Sequence, residues 1–391
     1  MSGHRIGVVL QGGAQWVGGL EYTRNLILAI SSAARELSSP VSMSLLHRPG
    51  ETGNVEAFKS IPDVSLMPED LSVDHLLSVR IARKLGLRVR NKGLAAVSKR
   101  EGFRFVFPFD GTRDDAGTDS AAWIPDLQHF RLPQYFEAHE LRLRDWGMKR
   151  IADNAPMIIV SSEAVKKDLE AFSPGVAPKV RVVRFRVSVP KETFSRSPAE
   201  TVAKYHLPER FLLVSNQFWV HKNHLGLLEA LKIAVERRPG ICVAMTGRLH
   251  DARRPAYGDE VLSAVQRLGL HANVRLLGLI PKSDQLQLLR GCCGLVQPSL
   301  FEGWNTGVEE ARALGKVIVA SDIAVHREQA APECVYFDPS LPQDFADQLL
   351  RVFDSQAPLS VEGEQAAVDA YRRLVVEYGK EFLGLSGLGV A

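Results

Sequence analysis

VQPSLFEGWNTGVEEARALGKVIVASDIAVHRE, Val296–Glu328, decides the reading of the fold. An apolar run ends at Pro298, a loop carries Glu302 and Gly303, and a helix opens at Asn305–Thr306. A second apolar run follows from Val317. Strand, loop, helix and strand within about thirty residues is the unit from which parallel sheets are built. Toward the N-terminus the unit repeats as strand Gly294–Gln297, helix Lys282–Arg290, strand Val274–Leu277, helix Asp259–Leu268, strand Ile241–Thr246, helix His221–Arg237 and strand Phe211–Asn216. A polar, Pro/Ser-rich stretch precedes these, SVPKETFSRSPAETVAKYHLPER from Ser188. Before it stand strand Arg5–Gln11, helix Gly19–Leu37 and strands Val41–His47, Phe103–Phe107 and Pro156–Ser161. Ser162 reads as the N-cap of a helix through Phe172.

Continuous rather than alternating apolar strands imply parallel sheets covered on both faces. The expected class is α/β, with two doubly wound, Rossmann-like domains facing a central cleft. The expected boundaries are 1–190 for the N-terminal domain, 191–208 for a linker and 209–365 for the C-terminal domain. Residues 366–391 form a last helix that packs on the second domain or crosses back to the first. A chain of 391 residues is too long for one ordinary core, in keeping with two domains.

Composition narrows the function classes. With 45% hydrophobic and 24% charged residues the chain is globular, not disordered or coiled-coil. Its 48 Lys+Arg nearly cancel 45 Asp+Glu, so bulk charge makes no case for a nucleic-acid partner. No apolar stretch approaches the roughly 20 residues of a membrane helix. The N-terminus lacks a signal-peptide pattern, so a cytoplasmic protein is expected. Cys242, Cys292, Cys293 and Cys334 have no metal-ligand spacing and read as reduced thiols.

Ligands of doubly wound sheets lie at the C-terminal strand ends, where helix N-termini offer unpaired N–H groups. Two such domains predict a two-part ligand with phosphate at its centre. A carboxylate beside phosphate repels it, so Glu302 and Glu310 are expected to accept hydrogen bonds from neutral hydroxyls, which sugars present in pairs. The plainer reading is a solvated helix with Glu in its first turns, favoured by the dipole. Glu309 is assigned to that plainer case, although periodicity alone does not separate it from Glu310.

FEGWNTGVEEARALGKVIVASD, from Phe301, resembles the Glu–seven residues–Glu signature of the retaining, group 1 glycosyltransferases of family four, which have the GT-B fold. The family usually reads F-E-G-(F/W)-G, then E-A-(M/L)-A-x-G-x-P-V-(I/V)-A-S. Here Asn305 replaces a Gly and Val317 the common Pro. The resemblance implies that Glu310 holds nucleotide ribose hydroxyls and Glu302 donor-sugar hydroxyls. Gly303, Trp304, Asn305 and Thr306 would meet sugar and phosphate.

In VSNQFWVHKNH, from Val214, Lys222 matches the family's phosphate-binding Lys. Asn216 stands where the family has an Arg, so the clamp is expected to use Lys222 with His221 or Arg248. Without its companions Lys222 would read as a surface helix lysine. In the glycine loop QGGAQWVGG, from Gln11, Gly18 and Gly19, with Tyr22, fit approximately the family's loop near donor phosphate and acceptor. A plain tight turn explains the loop equally. In WIPDLQHFRLPQYF, from Trp123, His129 with Asp126 in support is the candidate for the family's His near the bond being broken. A buried His satisfied by backbone is the rival reading. Backbone groups at Leu279 and Ile280 are expected to read the nucleobase.

The basic, amphipathic run Arg80–Arg104 suits an anionic membrane face or simply a solvated surface. The reaction expected is transfer of a sugar from a nucleotide-diphosphate donor to a saccharide or lipid-linked acceptor. No cofactor and no metal are required, Asp114–Asp115 being a loop pair without recognisable partners. The setting expected is cell-surface polysaccharide or glycolipid assembly, with peripheral contact at the inner membrane face. A same-fold phosphorylase or epimerase and a non-catalytic two-domain binding protein remain as alternatives. A nicotinamide enzyme is disfavoured: the glycines fall in pairs, and no acid ends the second strand.

Overall fold

Apolar runs with no polar alternation need cover on both faces, and the strands of this protein receive it. The computed structural model describes residues 4–13, 16–50, 52–69, 92–109, 119–251, 253–329, 334–355 and 360–387. The chain divides into two units. The first comprises Met1–Leu127, His139–Ser188 and Arg373–Ala391, the second Gln128–Ala138 and Val189–Arg372.

In the first unit, strands β1 (His4–Val9), β2 (Val41–His47), β3 (Val64–Pro68), β4 (Phe105–Phe107) and β5 (Asp119–Ser120) pair in the order β3-β2-β1-β4-β5. All pairs are parallel, with Val8 opposite Leu45 on one side and Phe107 on the other. Strands β6 (Ala122–Trp123), β7 (Ile158–Val160) and β8 (Val180–Val182) form a second parallel sheet. Ser162 caps the helix Glu163–Phe172 as expected, its side chain accepting from the Val165 N–H at 3.1 Å.

The second unit holds one parallel sheet of β9 (Leu212–Ser215), β10 (Val243–Thr246), β11 (Val274–Gly278), β12 (Gly294–Gln297), β13 (Ile318–Ser321) and β14 (Cys334–Phe337). Their order is β11-β10-β9-β12-β13-β14. Successive residues enter opposite cores. Leu212, Val214, Val243, Met245, Val296 and Val319 meet one layer of helices. Leu213, Ala244, Leu295, Ile318 and Ala320 meet the other. These strands are therefore apolar along most of their length, with polar residues such as Ser215, Thr246, Gln297 and Ser321 at their C-terminal ends, as a doubly covered parallel sheet allows.

Residues 191–208, read as a linker, contain a 3-10 turn at Lys191–Ser195 and a helix at Pro198–Lys204. The Ser and Pro that suggested a linker are a helix start: Ser197 Oγ accepts from the Ala199 N–H, and Pro198 is the first helical residue. Thr201 and Leu207 are buried there.

The last helix, Val361–Leu385, contributes to both units, Arg372 ending its share of the second. In the first unit Phe382 meets Phe105 and Phe107 edge-on, at 5.8 and 5.0 Å. Gly379 lies against the helix Val17–Glu36, so closely that a Cβ would stand 2.1 Å from the Ala29 carbonyl oxygen. Helix propensity alone would favour Gly379→Ala by about 1 kcal/mol. We expect the opposite sign, a loss of about 1–3 kcal/mol from overpacking. Urea denaturation of the two proteins decides, and a stabilised variant would refute the contact.

Candidate active site

The chain leaves β9 for β10 and β11 on one side, then returns to β12 on the other. Loops after β9 and β12 therefore diverge from adjacent strands, the arrangement at which doubly wound sheets receive ligands. The side chains there form one hydrogen-bonded network. Asn216 Nδ2 donates to Gln297 Oε1 at 2.8 Å, and Asn305 Nδ2 donates to the same oxygen at 3.2 Å. Asn305 Nδ2 also reaches Glu302 Oε1 at 3.0 Å, and Lys222 Nζ donates to that oxygen at 2.6 Å. Gln297 is 0% and Glu302 8% exposed, so a charge and three amides are withdrawn from water together.

Local sequence explains how each arm is held. Asn305 is the N-cap of the helix Thr306–Ala313, its Oδ1 accepting from the Val308 N–H at 3.1 Å. Gln329 grips the Asn305 backbone from both sides, accepting from its N–H and donating to its carbonyl, each at 3.0 Å. Lys222 was expected to begin a helix. It ends instead a 3-10 turn, Val220–Lys222, and Asn223 adopts the left-handed conformation, φ 55°, before the helix His224–Arg237. Asn tolerates that conformation better than most residues, and the turn sets Lys222 against Glu302 rather than in the helix.

Asn216, a candidate donor-binding residue that stands where the family has an Arg, donates its amide to Gln297. His221, one candidate for the substitute cation, is buried, and desolvation first, with Lys222, Arg253 and His224 adding, holds its pKa well below the usual value. Arg248 is exposed just beyond β10, its backbone N–H donating to Gln217 Oε1 at 3.0 Å. Leu279, 61% exposed, and half-buried Ile280 follow β11. Gly303 is buried, while Trp304 and Thr306 are half-buried.

The two neighbouring glutamates have different partners. Glu310 is buried midway along the helix Thr306–Ala313 and pairs with Lys282 Nζ, while Gln285 Nε2 donates to it at 3.1 Å. Glu309, expected to be solvated, is 0% exposed. Arg312, Gln329 Nε2 and the Tyr371 hydroxyl donate to it, so it is an internal anchor for the last helix. Gln297, Gln329, Lys282 and Tyr371 escaped the sequence reading; an amide ending the otherwise apolar run Gly294–Gln297 was the available signal.

In the first unit, a Cβ on Gly19 would stand 2.7 Å from the Gly12 nitrogen, so this glycine lets the loop pass over the helix start. Gly18 is exposed at the first turn. Tyr22 is buried, stacked on Trp123 at 3.8 Å beside Phe185. Asp126 belongs to the first unit and His129 to the second, the division falling after Leu127. His129 lies buried on the short helix Gln128–Arg131. Of the basic run Arg80–Arg104, residues 80–91 lie outside the described residues, as do Asp114 and Asp115. Its described part includes the helix Lys92–Glu101, where Arg100 pairs with Glu69 and Glu101. No helix among the described residues is long and apolar enough to cross a membrane.

Burial pushes His224 from 6.5 down to about 3, with Lys222 adding to the shift. Below pH 6.5 the unfolded chain binds a proton there that the folded chain refuses. Stability is therefore lost as pH falls from 6.5 toward 3, by up to about 1.4 kcal/mol per pH unit. His224 stacks on Phe218 at 4.2 Å, a contact that Phe retains. Denaturant unfolding of His224→Phe between pH 7 and 5 should show a shallower fall than wild type. Equal slopes would contradict the buried, neutral assignment.

Residues 200–369, which contain every member of this network, match the family described as glycosyl transferases group 1. The O-antigen chain mannosyltransferase B of Escherichia coli is 25% identical over 222 residues, which are 55% of this chain. The chain spans 56% of the length of that curated relative. Over whole chains, sucrose-phosphate synthase from Thermosynechococcus elongatus superposes with a TM-score of 0.68 at 16% identity, covering 98% of this chain and 99% of its own. The Anabaena HepE protein, solved with UDP and glucose, gives 0.64 at 15% identity and the same coverages, 98% and 99%. Those likenesses show the two-domain, Rossmann-like GT-B fold, and within it residues 200–369 are similar to the group 1 glycosyl transferases.

Proposed function

We propose that this protein transfers a glycosyl group from a nucleoside diphosphate sugar to an acceptor hydroxyl, with retention at the anomeric carbon and without a metal ion. The carrying observation is the meeting of Lys222 and Glu302 at the sheet's switch point, beside a capped helix start. Among the described residues, Lys222 and Asn305 both address Oε1 of Glu302, leaving Oε2 for a ligand hydroxyl. Lys222 is the cation that moves onto the diphosphate when the donor binds. Asn305 then keeps the carboxylate oriented toward the sugar. Glu310, held by Lys282 and Gln285, accepts the ribose hydroxyls, and the exposed Leu279 with Ile280 borders the base.

Charge develops on the departing diphosphate, where the N–H groups near Thr306 are preorganised to receive it and Lys222, once moved, adds its charge. Arg248 stands at the same edge and adds a second cation. The acceptor proton passes to the leaving phosphate on the same face, so no protein nucleophile is needed. His129 serves the sugar near the reacting carbon. The relative named for O-antigen mannosyl transfer, and the HepE protein solved with UDP and glucose, support a nucleotide-sugar donor and a saccharide or lipid-linked acceptor. Cell-surface polysaccharide or glycolipid assembly at the cytoplasmic face follows as the setting.

Release of nucleoside diphosphate from a panel of nucleotide sugars tests the reading, and failure with every donor would overturn it. Lys222→Ala should lower turnover by about 10²–10³-fold, as loss of one preorganised donor does. Glu310→Ala should weaken nucleoside diphosphate binding by about 1–3 kcal/mol in calorimetry. Wild-type affinity in a folded Glu310→Ala protein would remove that carboxylate from the site.

A further inference from the structure

Gln128–Ala138 comes before the bulk of the second unit in sequence but belongs to it. Arg253 is one point of attachment. Its Nη1 donates to Gln128 Oε1 at 2.7 Å and its Nε to Asp251 Oδ1 at 3.2 Å. The guanidinium carbon lies 5.2 Å from the Phe136 ring centre and 5.4 Å from that of Trp219. Gln128, Asp251 and Phe136 are all buried, so these contacts are made away from water, where they are strongest.

The two sides of this clamp lead to different parts of the candidate site. On one side the Phe136 ring meets His129 edge-on, 6.4 Å between centres. On the other, Trp219 is the residue from which the turn Val220–Lys222 starts, and its carbonyl accepts the Lys222 N–H at 2.8 Å. Lys222 in turn holds Glu302. One guanidinium thus ties the segment bearing His129 to the turn bearing Lys222. Only a planar, multiply donating cation satisfies an amide, a carboxylate and two ring faces at once; an ammonium does not.

We propose that Arg253 is a positioning residue, holding the His129 segment in register with Lys222 and Glu302 without touching substrate itself. Its effect on catalysis rests on the transferase reading above, while the clamp itself does not. Hydrogen exchange of the full-length chain reads the clamp directly. In Arg253→Ala, exchange over residues 128–138 should accelerate by about tenfold or more, with the core strands of the second unit unchanged. With a turned-over donor, kcat should fall about tenfold or more while its KM stays within about twofold. Arg253→Lys should restore neither. Unchanged exchange over 128–138 refutes the clamp. A donor KM that rises as much as kcat falls makes Arg253 a substrate contact instead. Should Arg253→Ala not fold, Gln128→Ala removes one arm and should still speed exchange in that segment by about threefold; no change there also refutes the proposal. If wild type turns over no nucleotide sugar, the transferase reading fails, and exchange still decides on the clamp.

Discussion

Burying a carboxylate is costly unless charge and hydrogen bonds replace the water it loses. Glu302 meets that condition through Lys222 and Asn305. Those partners arrive on different loops, Lys222 from beyond β9 and Asn305 from beyond β12, and only a sheet that sets β9 beside β12 brings them together. The strand order of the second unit and the position of its charged centre are thus one constraint. Gln297 ties the arrangement to the sheet, since its carbonyl oxygen receives both Asn216 and Asn305.

Departures from the family pattern become intelligible in this frame. Asn216 and Asn305 stand where the signature has an Arg and a Gly, and in this protein the two share one acceptor. A guanidinium and a missing side chain have been exchanged for a pair of amides. The exchange removes one cation from the end of β9, while Lys222 on the loop beyond it and Arg248 and Arg253 on the loop beyond β10 remain. Neutral His221 and His224 flank Lys222 without adding charge, because desolvation keeps them unprotonated.

The helix Thr306–Ala313 has two duties at adjacent residues. Glu310 is turned to Lys282 and Gln285 at the edge where ligands are received, and Glu309 to Tyr371 and Gln329 inside the unit. Through Gln329 the internal anchor and the Asn305 cap share a side chain, so the base of the last helix and the charged centre belong to one hydrogen-bonded system. The first unit relies on aromatic packing instead: Tyr22, Trp123 and Phe185 on one side, Phe105, Phe107 and Phe382 on the other.

From the chain alone one reads the alternation of strands and helices, the cap at Ser162, the helix start near Asn305–Thr306, and the Glu302–Glu310 spacing. Each of these is local, set by apolar runs and by backbone groups within a few residues. Strands such as Val64–Pro68 and Val180–Val182 escaped that reading, because a run of three to five residues carries too little pattern. The helix Pro198–Lys204 was hidden by the very Ser-Pro pair that starts it. Which carboxylate pairs with Lys282 and Gln285 and which with Tyr371 and Gln329 was a tertiary matter. The Tyr371 hydroxyl that separates Glu309 from Glu310 is 62 positions away, and the acceptor that occupies Asn216 is 81 positions away. Partners at such distances are brought near only by strand order and helix docking, so periodicity along the chain has no means of encoding them one residue at a time.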